Sequence, residues 1–170
     1  AGCSAEENKL GTNKDEDKGV TVPVYTVSQP MNFDPALSYK DEASAEILSY
    51  IYEGLFTFDS KGKVVKAMCD EYKNVSNEED GDYAYEFYLK DSAWSDGRSV
   101  QAADFVYAFK RIMDPEFMGE CATLLYSLKN ARDVKLGNAS IDDLGVYAVG
   151  KQILRIEFET KPDIDLFLQY

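Results

Sequence analysis

Histidine is absent from this 170-residue chain, and the motifs that mark common enzyme sites are missing. Without histidine, Ser-His and Cys-His nucleophilic arrangements and histidine-ligated zinc sites are excluded. The sequence also lacks a Gly-rich phosphate loop, a Gly-x-Ser-x-Gly motif, a Cys-x-x-Cys pair and any membrane-spanning apolar run. These absences predict a protein that is not an enzyme and that uses no cofactor and no metal. A pair of catalytic carboxylates, as in glycosidases, stays open as an alternative.

The charge balance is strongly acidic. The chain has 31 Asp and Glu against 18 Lys and Arg, a formal net charge of -13. Nucleic acid is therefore not expected as a partner, because phosphate binding needs clustered Lys and Arg. The acidic residues are spread along the chain, and we interpret them as favouring solubility. With 45% hydrophobic residues, 12 Tyr and 9 Phe, the chain can build a core.

The N-terminus resembles a lipid-attachment signal. Ala1-Gly2-Cys3-Ser4 is a small-small-Cys sequence that resembles the lipobox of bacterial lipoproteins, in which Cys3 would carry a diacylglycerol group. Residues 4–19 are polar with almost nothing apolar, which predicts a flexible tether. We therefore expect residues 1–19 to anchor the protein at the extracytoplasmic face of the cell membrane. An ordinary N-terminal cysteine is the alternative.

A strand, a turn and a helix are predicted in the middle of the chain. Alternate residues of the strand share one face: Tyr83, Tyr85, Phe87 and Leu89. Ser95-Asp96-Gly97 predicts a turn after it. A helical stripe follows and ends at Asp114-Pro115, and its apolar residues are Ala102, Phe105, Val106, Phe109, Ile112 and Met113. Trp94, the only tryptophan, is predicted to be a core anchor between strand and helix.

Weaker patterns predict the remaining elements. Val20–Val27 alternates as an opening strand, and a helix is expected over Asp41–Tyr52. The residues of that helix predicted to face inward are Ile47, Leu48 and Ile51. A further helical stripe, ending near Gly137, contains Cys121, Leu124, Leu125 and Leu128. Three turns are predicted to close hairpins: Ser60–Gly62, Glu78–Asp82 and Gly150–Lys151.

Ordered landmarks along the chain are similar to those of one known family. They are Asn32-Phe33-Asp34-Pro35, Tyr52-Glu53-Gly54-Leu55, Leu89-Lys90-Asp91, Trp94-Ser95-Asp96-Gly97, Ala102-x-Asp104-Phe105, Arg111 and Asp143-Leu144-Gly145-Val146. The chain thereby resembles the family 5 extracellular solute-binding proteins, the oligopeptide-binding lipoproteins of ATP-driven importers. The resemblance covers nearly all of Val20 to Tyr170.

The resemblance implies the fold class and the domain organisation. We expect a mixed α+β (α/β) structure that forms the N-terminal part of a two-lobed periplasmic-binding-protein-like fold, with an incomplete first lobe. Residues 20–53 would begin the main domain of that lobe, and residues 54–170 would form its small α+β domain, truncated near the C-terminal end. Family members are much longer, so the sequence is expected to be an N-terminal fragment.

The resemblance also implies a function. The chain would belong to the extracytoplasmic substrate-binding component of an ABC transporter, a monomer whose partners are an oligopeptide and the membrane subunits of the transporter. Two alternatives stay open. One is another ligand of the family, an oligosaccharide or a nickel complex, and the other is a surface lipoprotein used for adhesion or signalling.

Ligand contacts are likewise implied by the resemblance. In the family, the loop after the Asp-Pro landmark lines the cleft, and here that loop contains Ser38, Tyr39, Lys40, Asp41 and Glu42. Lys40 would meet a peptide carboxylate and Asp41 or Glu42 an amine. An ordinary solvent-facing loop is the alternative. The segment around Cys121 also approaches the cleft in the family, although cysteine departs from the usual aromatic residue there. Cys121 and Cys69 would either pair or remain thiols, with Cys69 acting as a small buried hydrophobe.

Overall fold

The computed structural model describes residues 23, 25, 26, 28–38 and 40–169. The helices of these residues are numbered α1 to α5 in chain order: Pro35–Ser38, Glu42–Ile51, Ala102–Met113, Ala131–Lys135 and Ile164–Phe167. Their strands are numbered β1 to β6: Phe56–Phe58, Val64–Lys66, Cys69–Asn74, Tyr83–Leu89, Val146–Gly150 and Ile153–Phe158. Short 3₁₀ helices cover Glu120–Leu125 and Ile141–Asp143. Within the described ranges, no helix is both long and apolar enough to cross a membrane.

A four-stranded antiparallel sheet, ordered β3-β4-β6-β5, forms the centre of the molecule. The predicted strand is confirmed as β4, and it pairs with β6 so that Phe87 lies opposite Leu154. Phe87 and Leu89 are buried as predicted, whereas Tyr83 and Tyr85 are half-buried and pack against the core from its edge. One face of the sheet therefore supplies the apolar core, as the alternation predicts.

Helix α3 covers this face and contacts β5 and β6. Ala102 and Met113, at its two ends, are completely buried. The rest of the predicted stripe packs against the core while remaining partly exposed: Phe105, Val106, Phe109 and Ile112. The helix begins where the Asp104 carboxylate accepts a hydrogen bond from the Gln101 backbone N–H at 2.8 Å. The predicted helix and its buried face are therefore confirmed.

The turn before α3 is present, but the prediction that Trp94 is a core anchor is wrong. Gly97 adopts a φ of 86° and its N–H donates to the Trp94 carbonyl at 2.9 Å. Trp94 itself is 37% exposed. Its indole Nε1–H donates to Asp104 Oδ2 at 3.2 Å. This hydrogen bond holds the indole at the surface of α3, because a partner for the N–H lies there and not in the core.

Helix α2 is shorter and less buried than predicted. It begins after Asp41, whose carboxylate accepts from the Ser44 N–H at 3.1 Å, and it ends at Ile51. Leu48 is buried as expected and Ile47 is half-buried. The inward orientation predicted for Ile51 is wrong, since this side chain is 60% exposed. Ile51 is the last residue of the helix, and it lines an open groove of about 490 Å³ together with Met68 and Trp94.

The predicted long helix through Cys121 and Leu128 is also wrong. The chain instead forms the 3₁₀ helix Glu120–Leu125 and then α4, separated by Asn130 in the left-handed conformation (φ 60°). The Asn130 side chain donates to the Asp143 carbonyl at 2.7 Å, and this contact stabilises the break. Leu128 is buried, whereas Leu124 is 36% exposed. The helical spacing of the apolar residues between Cys121 and Leu128 arose because the 3₁₀ helix and the chain leading to α4 contribute to one core.

The remaining expectations are mixed in outcome. All three hairpin turns are confirmed, since they connect β1 to β2, β3 to β4 and β5 to β6. Cys69 and Cys121 are both buried free thiols, so the pairing alternative is wrong and Cys69 is a small buried hydrophobe. Residues 1–19, Cys3 and most of the predicted opening strand lie outside the described residues. The domain boundaries at residues 20–53 and 54–170 stay predictions.

Candidate ligand-binding site

The loop predicted to contact ligand lies between α1 and α2, and its described residues have distinct environments. Ser38 is buried and its hydroxyl donates to the Asn32 carbonyl at 2.9 Å. Asp41 caps α2 and also accepts from Ser44 Oγ, which lowers the pKa of its carboxyl. Lys40 and Glu42 are exposed. Tyr39 lies outside the described residues. Lys40 and Glu42 are therefore the charges of this loop that solvent, or a ligand, can reach.

Cys121 lies directly against this loop's supporting helix. The residue is 7% exposed, and its thiol donates to the Ala36 carbonyl at 3.1 Å, across 85 residues of sequence. Burial raises the pKa of the Cys121 thiol, which disfavours the reactive thiolate. The two segments that the sequence assigns to the ligand site are thus adjacent in the fold.

An ion pair joins the same two segments at the surface. The Lys40 ammonium contacts the Glu120 carboxylate, and both side chains are largely exposed. This hydrogen bond lowers the pKa of Glu120. Exposed pairs of this kind contribute little stability. They do present both signs of charge at one place, and the two ends of a peptide require both.

Gly119 permits the close approach of these segments. A Cβ placed on Gly119 would overlap the Phe117 ring and would lie 3.1 Å from the Ala36 carbonyl oxygen. Any larger residue would therefore displace the Phe117 ring and crowd the Ala36 carbonyl of α1.

A second and stronger connection lies behind the loop. Arg111, in the last turn of α3, forms a bidentate pair with Asp34, which immediately precedes α1. One of its two hydrogen bonds, from Nη1 to Asp34 Oδ1, measures 3.0 Å. The Arg111 hydrogen bond lowers the pKa of the Asp34 carboxyl. Asp34 Oδ1 also accepts from the Ala36 N–H at 3.1 Å, so one carboxylate joins the start of α1 to α3.

The chain after α3 is fixed by Lys135. Its ammonium donates to three backbone carbonyls, those of Ile112 at 3.1 Å, Asp114 at 2.7 Å and Phe117 at 2.6 Å. Carbonyls at the end of a helix lack intrahelical partners, and a cation there is favourable. The Phe117 ring contacts the other cation of this region: its centroid lies 4.9 Å from the Arg111 guanidinium carbon.

A groove of about 660 Å³ runs beside the Asp34–Arg111 pair. Aromatic side chains that line it are Phe33, Tyr52, Trp94 and Tyr107. A smaller apolar hollow of about 170 Å³ lies next to Cys121, between α3 and Leu124. Across the described part of the chain, no group of three or more His, Cys, Asp or Glu side chains is arranged to hold a metal ion.

Sequence reasoning missed three residues of this region. Asp34 and Arg111 entered only as landmarks of the resemblance, and their pairing across 77 residues is a tertiary contact. Glu120 was not considered, although it neighbours Cys121. The combination Gly119-Glu120-Cys121, with a glycine outside any turn pattern, was the available signal of a close approach.

Comparison with known proteins agrees with the resemblance. Residues 63–170 match the family of bacterial extracellular solute-binding proteins, family 5 middle region, which is more than half of the chain. The oligopeptide-binding protein OppA of Bacillus subtilis is 31% identical over 149 residues, covering 86% of this chain and 26% of that protein. The periplasmic murein peptide-binding protein MppA of Escherichia coli is 31% identical over 134 residues, covering 77% of this chain and 24% of that protein.

A solved structure shows the same relationship in three dimensions. The substrate-binding domain of an oligopeptide ABC transporter from Bacillus anthracis superposes with a TM-score of 0.70 at 34% identity, covering 79% of this chain and 25% of that one. The chain thus spans about a quarter of the length of the relatives it matches. These relatives are solute-binding proteins and not enzymes, and they are periplasmic or extracytoplasmic.

The predicted fold class is confirmed: the chain is a mixed helix-and-sheet part of the first lobe of a two-lobed periplasmic-binding-protein-like fold. The predicted family is confirmed as well. The chain belongs to the family 5 bacterial extracellular solute-binding proteins.

Proposed function

We propose that this chain is the N-terminal part of an extracytoplasmic receptor that binds oligopeptides for an ABC importer. The observation that carries the proposal is the contact between the loop Ser38–Glu42 and the segment around Cys121, in a chain whose relatives include an oligopeptide-binding protein and a murein peptide-binding protein. The partners would be an extended peptide and the membrane subunits of the transporter.

The charges at this contact suit the ends of a peptide. Extended peptides are bound through main-chain hydrogen bonds and through charges at their termini. Lys40 offers an exposed ammonium, and Glu42 and Glu120 offer exposed carboxylates. The Asp41 carboxylate is already engaged by Ser44 and by the Met31 N–H. We therefore propose that a peptide carboxylate replaces Glu120 as the partner of Lys40. The peptide amine would then meet Glu42 or the released Glu120 in preference to Asp41, which also caps α2.

Calorimetric titration with mixed short peptides, an oligosaccharide mixture and a nickel chelate tests this function on the full-length gene product. We expect heat release with peptides and weaker binding in Lys40→Ala, because a ligand carboxylate loses its cation. Lys61→Ala, in the exposed turn between β1 and β2, is the matched control. If the sugar or the nickel complex released heat and the peptides did not, the corresponding alternative would replace the peptide proposal.

The lipid anchor at Cys3 is a separate part of the proposal. Stable membrane attachment needs two or more buried acyl chains, which a diacylglycerol on Cys3 would supply. Cells fed a radioactive fatty acid should incorporate label into the protein and should lose it in Cys3→Ala. A wild-type protein without label would remove the anchor and leave the ligand-binding proposal untouched. Peptide uptake by cells that lack the gene separates an importer from a surface lipoprotein for adhesion or signalling.

A further inference from the structure

We propose that Arg111 is a positioning residue for ligand binding: it holds Asp34, and through Asp34 it fixes the loop Ser38–Glu42 against Cys121. The ligand-binding half of this inference rests on the proposed function, whereas the positioning half concerns the chain alone. Arg111 would not touch ligand, since both of its terminal nitrogens are directed to Asp34.

One end of this connection is fixed to the core. Arg111 lies two residues before Met113, a completely buried residue that ends α3. Its guanidinium also stacks on the Phe117 ring, at 4.9 Å from the centroid. The Lys135 ammonium donates to the Phe117 carbonyl. The guanidinium is therefore anchored by the helix backbone, by an aromatic ring and by the chain that follows the helix.

The other end lies close to the loop. Asp34 accepts from the Ala36 N–H and so starts the short helix α1, whose last residue is Ser38. Three residues separate Asp34 from Ser38, the first residue of the loop. The planar fork of arginine matches both carboxylate oxygens at once, and this fixes the orientation of the pair as well as its distance.

Apolar packing does not supply this orientation. Among the described residues before Leu55, none belongs to the core cluster that α3 and the sheet share. Phe33 and Leu37, on either side of the pair, are 56% and 46% exposed. The buried apolar residues of the segment, Ala36, Ala43 and Leu48, lie outside that cluster. The position of the segment relative to α3 therefore depends on polar contacts such as the Asp34–Arg111 pair.

Cys121 gives a direct readout of this position. Its buried thiol donates to the Ala36 carbonyl, so a displaced α1 would uncover it. Cys69, completely buried at the start of β3, is an internal control that reports on the sheet. Peptide mapping after reaction with a thiol reagent distinguishes the two cysteines in the unaltered chain.

The experiment compares wild type with Arg111→Met, Arg111→Lys and Asp34→Asn. Lys110→Met, which breaks the neighbouring Lys110–Asp142 pair on the same helix, is the matched control. At about pH 8, we expect Cys121 in Arg111→Met to react about tenfold faster, as local opening becomes easier. Cys69 should keep its wild-type rate, and the thermal midpoint should change by less than about 3 °C. Arg111→Lys should be intermediate, because one ammonium cannot bridge both oxygens.

Peptide affinity of the full-length protein is measured on the same variants. We expect a loss of about tenfold in Arg111→Met and in Asp34→Asn, with no change in Lys110→Met. A double variant no weaker than either single variant would assign both losses to the one pair. The asparagine variant keeps a side-chain acceptor for the Ala36 N–H, so it tests the pair even if Arg111→Met folds poorly.

The outcomes separate the two proposals. A wild-type protein that binds no peptide removes the proposed function, while faster labelling of Cys121 in the variants would still support the positioning role. Unchanged Cys121 labelling in both Arg111→Met and Asp34→Asn would overturn that role. Equal acceleration of Cys69 and Cys121 would overturn it too, since Arg111 would then support the whole fold and not one loop.

Discussion

The sheet with α3 and the N-terminal segment (residues 28–38 and 40–53) are held together by different forces. In the first region, side chains such as Phe87, Leu154 and Ile156 are completely buried in a shared core. In the second, six large apolar side chains are exposed: Met31, Phe33, Leu37, Tyr50, Ile51 and Tyr52. The connections of this segment to the rest include the Asp34–Arg111 pair, the Cys121 thiol and the Lys40–Glu120 pair.

This difference means that the stability of the fold and the position of the loop Ser38–Glu42 depend on different contacts. Apolar burial is not directional and supplies most of the free energy of folding. Bidentate hydrogen bonds contribute less, but they fix a geometry. We infer that the sheet region determines whether the chain folds, whereas the polar contacts determine where the loop Ser38–Glu42 lies. A ligand site on the second region can then be altered without loss of the first.

The largest expected effect comes from Phe87→Ala in the core. Removing a completely buried phenyl ring should lower the free energy of unfolding by about 3–5 kcal/mol, measured by urea titration. Leu48→Ala, in α2 outside the core cluster, is the matched test of the other region. In Leu48→Ala, the backbone amides of α2 should exchange hydrogen faster than in wild type. The amides of β4 and β6 should keep their protection from exchange. Loss of protection throughout the sheet in Leu48→Ala would mean that the two regions form one cooperative unit.

Two glycine substitutions should distinguish the two regions with a smaller loss of stability than Phe87→Ala. In Gly145→Ala the new Cβ would lie 2.7 Å from Lys129 Cβ and 3.0 Å from the Glu157 carbonyl oxygen, inside the sheet region. We expect a global loss of about 1–3 kcal/mol by urea titration, because backbone must move. Gly119→Ala meets the Phe117 ring and the Ala36 carbonyl instead. It should mainly accelerate thiol labelling of Cys121, and a global loss equal to that of Gly145→Ala would contradict the distinction.

The smallest expected effect is a dependence of the N-terminal segment on pH. The hydrogen bond from Arg111 lowers the pKa of Asp34 in the folded chain. The contribution of the pair is therefore complete above the ordinary aspartate range of about pH 4 and is lost as the pH falls through the lowered folded value. Acrylamide quenching of Trp94, which lines the same groove as Asp34, should rise in that window.

Arg111→Met is the control for this titration. Other carboxylates near the indole, Asp104 above all, are the same in both proteins. The difference between the two quenching curves thus reports on the Asp34–Arg111 pair. Superimposable curves at every pH would show that protonation of Asp34 does not loosen the segment.

The sequence predicted well the elements that local patterns determine and predicted poorly the positions that distant contacts determine. Strand β4, helix α3 and the hairpin turns follow from local alternation, helical spacing and glycines with positive φ, and these signals lie within a few residues. The wrong predictions for Trp94, Ile51 and the helix through Cys121 concern places where contacts between distant residues decide the structure. The resemblance placed Ser38–Glu42 and Cys121 in one site, but no local pattern could reveal the Asp34–Arg111 pair.

Lys135 illustrates a further property of these polar contacts. Its ammonium donates to three carbonyls at the end of α3 and beyond it. An amine-reactive reagent must therefore break three hydrogen bonds before it can acylate this nitrogen, whereas Lys61 lies in an exposed turn. In a chemical footprint of the folded chain, Lys135 should be modified much later than Lys61. Its acylation would free the helix end, so modification at this lysine would itself record the release of the chain that supports the loop.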